Sequence, residues 1–173
     1  MQFDWNGVAN KPPFIAVRYL EEALTCLERE AFRMSVVASA CALNYGLRFV
    51  LPLRGLARAT ERVMSLQEVI EEIKRHISVH SSTALAEIPL DKCERVMHFR
   101  NAFAHPEEYL ILKPSSRRNV YTLKPKFGTV KDKEEAFRAS QFNKKKKLKA
   151  IAEESLDVAY NTIKEALTKS NQP

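Results

Sequence analysis

A short string near the middle of the chain, Arg100-Asn101-Ala102-Phe103-Ala104-His105, combines residue types that can cleave a phosphodiester bond. The ordinary pKa of His lies close to neutrality, so His105 can serve as general base and then as general acid. Arg100 keeps its charge and can contact two oxygens of one phosphate. Asn101, four residues before the His, can hydrogen-bond the imidazole and orient it. These three side chains predict chemistry on RNA, whose 2′-hydroxyl is an internal nucleophile.

The end of a helix decides whether Arg100 and His105 can act together. In one continuous helix, side chains five residues apart point about 140° away from each other around the axis. Pro106 disfavours the helical conformation at the residue before it, so the helix predicted over 91–105 should end close to His105. An end there frees the imidazole to turn toward Arg100. The helix C-terminus also favours the protonated ring.

The longer pattern, Arg-Asn-x-x-Ala-His, resembles the Arg-x(4–6)-His signature of the HEPN superfamily, many of whose members are metal-independent endoribonucleases. The resemblance implies an antiparallel helical bundle, no cofactor, and a homodimer in which two copies of the motif form a composite site. It implies catalytic roles for Arg100, Asn101 and His105. Some HEPN toxins carry a Tyr two residues after the His, where an antitoxin partner modifies it, whereas Glu107 stands at that position here.

Other His residues offer weaker sites. Arg75 and His80 form a second Arg-x4-His pair, but no Asn follows the Arg and the pair lies in a predicted surface helix, which favours coincidence. His76 and His80 have the i, i+4 spacing that can bind a metal ion. No third ligand and no His-Glu-x-x-His motif completes such a site, so no metal is predicted.

Readings without catalysis stay open for the same residues. Arg100 could pair with Glu94, Glu107 or Glu108, and His105 could be an ordinary helix-end residue. A catalytically inactive HEPN-type module would use the same bundle to bind RNA or a protein. A regulatory subunit would instead dock its basic segment on an acidic partner. For an active enzyme, fitting roles are a toxin, a phage-defence effector or an RNA-processing factor.

The charge of the chain is concentrated in one segment. The 173 residues carry a formal net charge of +7, yet residues 110–150 alone hold 13 Lys and Arg against 3 Asp and Glu. A local basic surplus is typical of proteins that bind nucleic acid, although it can also be a solvated tether. The predicted contacts to RNA phosphates are Arg117, Arg118, Lys124, Lys126, Lys144, Lys145, Lys146 and Lys147.

The elements that must position these residues are mainly helices. Apolar residues recur at helical spacing over 14–29, 31–51, 65–80, 91–105 and 147–168, and short β-prone runs occupy 109–112 and 120–123. Ser65 and Glu68 form a capping box at the start of the third stretch. The pattern predicts an all-α fold in one domain over 1–173. Its architecture is a HEPN-like bundle of four to five helices with a small β-hairpin-like insertion before the last helix, and a basic insertion over about 110–147.

Three cysteines, Cys26, Cys41 and Cys93, are widely spaced and form no Cys-x-x-Cys motif. This pattern favours reduced thiols and a cytoplasmic protein. The apolar stretch over 34–47 is too short to span a bilayer and predicts a buried central helix, so no membrane contact is expected.

Overall fold

The computed structural model describes residues 3–53, 64–80, 83–104, 109–114, 121–125 and 145–168. Those residues form five helices longer than two turns and one short turn of helix, which confirms an all-α fold class. The helices are α1 (Phe14–Glu28), α2 (Phe32–Leu53), α3 (Leu66–His80), α4 (Thr83–Ala86), α5 (Leu90–Ala104) and α6 (Lys145–Thr168). Two strands, β1 (Tyr109–Pro114) and β2 (Tyr121–Pro125), come between α5 and α6 and pair antiparallel.

Helices α1 and α2 form an antiparallel hairpin. The chain leaves α1 through Glu30, whose φ of 59° is left-handed, and the Ala31 amide donates to the Cys26 carbonyl at 2.8 Å. This left-handed residue closes the helix end and reverses the chain. The Ser35 hydroxyl, fully buried, then donates to the Ala23 carbonyl at 2.8 Å and ties the two helices together.

Helix α2 is the centre of the bundle, as its small apolar residues predict. It packs against α1, α3, α5 and α6. Gly46 allows the closest approach, because a Cβ added there would lie 2.4 Å from Cγ1 of Ile163 on α6. Over Phe32–Pro52 the helix is long and apolar enough to cross a membrane, with a hydropathy of 1.4, but 61% of that window is buried in the bundle. Core packing therefore accounts for most of its apolar residues.

The capping box at the start of α3 is confirmed. The Ser65 amide donates to a Glu68 carboxylate oxygen at 2.8 Å, and the Glu68 amide donates to the Ser65 hydroxyl at 3.3 Å. Lys74 on the same helix reaches across to Glu94 on α5, with 2.5 Å between Nζ and Oε1. These contacts fix α3 at its start and brace it against α5.

Helix α5 is anchored by its apolar residues. Val96 and Phe99 are each 1% exposed, and Phe99 packs with Phe32, Val36, Ala102 and Ala152 in a second core cluster. The helix is described as far as Ala104, and the predicted end close to His105 stays a prediction because His105 lies outside the described residues. Burial of Phe99 therefore fixes the rotation of the helix turn on which the next residue, Arg100, lies.

The last helix begins earlier than the sequence pattern indicates. We expected α6 from residue 147, yet Lys145, Lys146 and Lys147 form its first turn. Lysine is a good helix former, and the Lys145 ammonium contacts the carboxylate of Glu30 at the turn between α1 and α2. These three lysines therefore lie on a helix, and the choice between RNA contacts and a solvated tether stays a prediction.

Candidate functional site

Arg100 lies on the last turns of α5, half-buried beside the core. Its Nη1 donates to Oδ1 of Asn101 at 3.0 Å. Glu94, one of the carboxylates that could have neutralised it, is engaged by Lys74 instead. Among the described residues no ion pair includes Arg100, so its charge is not neutralised by an ion pair in this part of the chain.

The structure brings two of the three predicted catalytic residues together. Arg100 and Asn101 are bonded to each other, and Asn101 therefore orients the guanidinium, whereas the sequence pattern assigned it to the imidazole. His105 follows Ala104, the last residue of α5, and lies outside the described residues. The expectation that it turns toward Arg100 stays a prediction.

The predicted RNA-binding residues divide into two groups. Arg117, Arg118, Lys126 and Lys144 lie outside the described residues. Lys124 is on β2, where it pairs with Ile111 of β1. Lys145, Lys146 and Lys147 are exposed on the first turn of α6. Within the basic segment the structure therefore describes the β1–β2 ribbon and the start of α6. Residues 126–144, which connect them, lie outside the described residues.

A pocket opens directly beside Arg100. It has a volume of about 240 Å³ and is bounded by α2, the start of α3 and α5. Apolar side chains, such as Leu66 and Met97, form part of it, and amides form another part. The residues that line it are Ala40, Cys41, Asn44, Ser65, Leu66, Gln67, Met97, Arg100 and Asn101. A site with a cation, amides and an apolar wall suits a ligand that is part anion and part planar ring.

Two aromatic rings stack on each other between α1 and α2. Tyr19 on α1 and Tyr45 on α2 stack with their centroids 5.7 Å apart and their planes 16° from parallel. The Arg48 guanidinium lies 5.8 Å from the centroid of the Tyr45 ring. Tyr45 is 37% exposed, so part of this stacked platform faces solvent. Exposed aromatic rings next to cations are the elements on which single-stranded nucleic acid bases stack.

Electrostatic interactions connect the platform to Arg100. Burial raises the pKa of the Cys41 thiol, while the nearby Arg100 guanidinium lowers it and Glu22 raises it further. The pKa of Tyr19 is raised first by Cys41 and then by burial, with smaller contributions from Tyr45 and Glu22. Side chains from α1, α2 and α5 thus lie close enough to Cys41 to interact electrostatically.

The larger groove of the molecule lies elsewhere and has the opposite charge. It has a volume of about 580 Å³ between α1 and α6. Among the described residues, its charged lining consists of Glu28, Glu30, Glu153, Glu154, Asp157 and Lys149. Carboxylates in this number repel a phosphate backbone. The smaller pocket at Arg100 is therefore the better candidate for a phosphate ligand.

Two other sequence features can be placed. Arg75 of the second Arg-x4-His pair is on α3 and bonds its neighbour Glu72 at 2.6 Å, which agrees with a surface coincidence. Within the described ranges no group of three His, Cys, Asp or Glu side chains could hold a metal ion.

The sequence pattern did not single out Tyr19, Cys41, Asn44 or Tyr45 as site residues. The available signal was the interruption of an otherwise apolar helix by Asn44, Tyr45 and Arg48, which lie on one side of α2. Comparison of the chain with protein-family models, with curated proteins and with solved structures finds no match. The functional conclusion therefore depends on the chemistry of these residues.

Proposed function

We propose that the protein is a metal-independent endoribonuclease of the HEPN type that acts as a homodimer. In this proposal the helices form a HEPN-like antiparallel bundle, and the β1–β2 ribbon is its insertion. The observation that carries the proposal is the environment of the Arg100 side chain. Its half-buried guanidinium is oriented by Asn101, borders a pocket, and belongs to a residue that precedes His105 by five positions in the sequence.

The proposed reaction uses the RNA's own 2′-hydroxyl. His105 of one protomer removes the 2′-hydroxyl proton as the oxygen forms a bond to phosphorus. The bond from phosphorus to the 5′-oxygen breaks, and the second protomer's copy of the same His gives that oxygen a proton. Arg100 stabilises the charge that grows on the phosphoryl oxygens. The products are a 2′,3′-cyclic phosphate and a free 5′-hydroxyl.

An exposed apolar strip next to the site supports the dimer. Ile15 and Tyr19 are one helical turn apart on α1, Tyr45 and Phe49 are one turn apart on α2, and the Tyr19–Tyr45 stack joins the two pairs. Ile15 is 48% exposed and Phe49 is 41% exposed. An interface over this strip, related by a two-fold axis, would bring two copies of Arg100 toward one cleft.

The basic segment would hold the RNA while the helix end performs the reaction. Lys145, Lys146 and Lys147 are exposed, and their contribution would be sequence-independent and weakened by salt. A reducing, cytoplasmic location fits the three free cysteines of the described residues. Toxin, antiviral-defence and RNA-processing roles all fit such an enzyme, with an antitoxin or regulatory protein as a further partner.

The second candidate is a catalytically inactive HEPN-type module that binds RNA or a protein. The stacked Tyr19 and Tyr45 rings favour it, because base stacking needs no catalytic His. Both candidates use the same surface, so cleavage separates them.

The test incubates the purified protein with total RNA in EDTA and compares it with Arg100→Ala and His105→Ala. We expect cleavage that leaves 2′,3′-cyclic phosphate ends, and a loss of roughly 100-fold or more in both variants. Lys92→Ala, an exposed position on the same helix, is the matched control and should cleave at the wild-type rate. Equal cleavage by all four proteins would indicate a contaminant and contradict the proposal.

Two further results would argue for other conclusions. RNA binding without cleavage by the wild-type protein would support the inactive module. A strict monomer in light scattering at the concentration of the assay would contradict the composite site.

A further inference from the structure

We propose that the pocket between α2, α3 and α5 is a nucleobase subsite, which binds the base of the nucleotide whose phosphate contacts Arg100. The inference rests on the proposed ribonuclease function for its choice of ligand. Beyond the ribonuclease activity, we assign the position of the base and the side chain that recognises it. The pocket borders Arg100 and Asn101, so a base in it is within one nucleotide of the guanidinium.

The size and lining of the pocket suit one planar ring. Its volume of about 240 Å³ is below the roughly 300–1,000 Å³ of pockets that enclose drug-sized molecules. Leu66 and Met97, each 8% exposed, and Ala40, 4% exposed, supply an apolar wall against which a ring can pack. Amides and a hydroxyl supply the polar edge, from Asn44, Gln67, Asn101 and Ser65. This combination is how extruded bases are bound by proteins that act on RNA.

Asn44 provides the recognition element. Its Nδ2 donates to the Met64 carbonyl at 3.2 Å, which determines which way the amide faces. Its Oδ1 is buried and accepts no hydrogen bond from the described residues. A buried acceptor without a donor is costly, and an N–H of a ligand relieves that cost. Nucleobases present such donors on their edges, as the amino groups of adenine, cytosine and guanine do.

Asn44 differs from the neighbouring polar groups because, among the described residues that line the pocket, its Oδ1 is the buried acceptor that lacks a donor. Gln67 donates to Glu71 at 2.9 Å, and the Ser65 hydroxyl is part of the capping box with Glu68. Asn101 accepts from Arg100. The lining of the pocket therefore combines Asn44 of α2, whose buried Oδ1 lacks a donor, with the Arg100 guanidinium of α5. An RNA nucleotide has a donor and an anion to match them.

Cys41 allows this subsite to be tested without measuring cleavage. Its thiol is half-buried and lines the pocket, whereas Cys26 is half-buried on α1 and does not line it. The experiment follows alkylation of each cysteine by iodoacetamide in the full chain at pH 8.5, with mass spectrometry of the peptides. The probes are the four nucleoside 5′-monophosphates and ribose 5-phosphate, which has the anion but no base.

We expect at least one nucleoside monophosphate to slow the alkylation of Cys41 about five-fold or more. Ribose 5-phosphate should not slow it. Cys26 should react at the same rate with every probe. Asn44→Leu should remove the protection. Asn161→Leu, the same exchange at an exposed position of α6, should keep it. The wild-type measurement decides the question even if Asn44→Leu does not fold.

Three results would overturn the subsite. They are an unchanged rate for Cys41 with every nucleotide, equal protection by ribose 5-phosphate, and full protection in folded Asn44→Leu. None of them depends on RNA cleavage, so the subsite can fail while the ribonuclease stands. Conversely, if a nucleoside monophosphate protects Cys41 but the wild-type protein does not cleave RNA, the subsite is supported and the proposed enzyme activity is contradicted.

Discussion

The Arg100 guanidinium donates through Nη1 to Oδ1 of Asn101 at 3.0 Å, so two consecutive side chains of α5 form one polar unit. The bond is made to a neutral acceptor, which leaves the positive charge available to an anion. Asn101→Asp would turn this acceptor into a carboxylate and create an ion pair that competes with phosphate. We expect RNA affinity to fall about 10- to 100-fold, the range for losing one hydrogen bond to a charged group.

Asn101→Ala separates the loss of Arg100 orientation from the effect of an added negative charge. It removes the acceptor without adding a competing carboxylate, so it should weaken RNA binding less than Asn101→Asp does. Fluorescence anisotropy with a labelled single-stranded RNA measures both. If the two variants bind equally well, Arg100 does not contact the phosphate.

Tyr45 forms the exposed half of the aromatic platform and is predicted to stack on a base. Tyr45→Ala should weaken binding of single-stranded RNA by roughly 1–3 kcal/mol, the value of one base–aromatic stack, and Tyr45→Phe should bind like wild type because the ring remains. Val79→Ala is the control, since Val79 is 66% exposed on α3 and away from the platform. An equal loss in Tyr45→Phe would show that the hydroxyl, and not the ring, makes the contact.

Gly46 is predicted to be intolerant of even one methyl group. Alanine favours a helix interior by about 1 kcal/mol over glycine, but a Cβ here would lie 2.4 Å from Cγ1 and 2.6 Å from Cδ1 of Ile163. Overpacking of this kind costs about 1–3 kcal/mol, so Gly46→Ala should lower the free energy of unfolding measured in urea. In a double-mutant cycle, Ile163→Ala should make Gly46→Ala neutral or stabilising, because the clashing atoms are gone. Additive losses would contradict the close approach of α2 and α6.

His98 on α5 is predicted to make stability depend on pH. Burial lowers the pKa of its imidazole and Lys74 lowers it further, whereas Glu94 opposes both. Below about pH 6.5 the unfolded chain therefore binds a proton that the folded chain resists, and stability falls as the pH falls. Chemical denaturation at pH 7.0, 6.5, 6.0 and 5.5 should show this decline in wild type and a shallower one in His98→Gln. Parallel curves for the two proteins would assign the dependence to other groups.

Local sequence patterns determined much of the fold. The capping box at Ser65 and Glu68 depends on interactions within a few residues of the chain. Such interactions leave a signature in the types of adjacent residues, so helix bounds were predicted to within about two residues. The first turn of α6 was missed because its contact with Glu30 comes from 115 residues away.

The sequence by itself also determined which residue types could cleave RNA, since Arg100, Asn101 and His105 lie in one short string. Only the tertiary structure decided what surrounds Arg100. Tyr19, Cys41 and Asn44 precede it by 56 residues or more, and they reach its surroundings because α2 packs against α5 and the left-handed Glu30 turns α1 back onto α2. Side-chain identity along one helix face does not encode such approaches. They follow from how whole helices pack, which depends on the volumes of residues far apart in the chain.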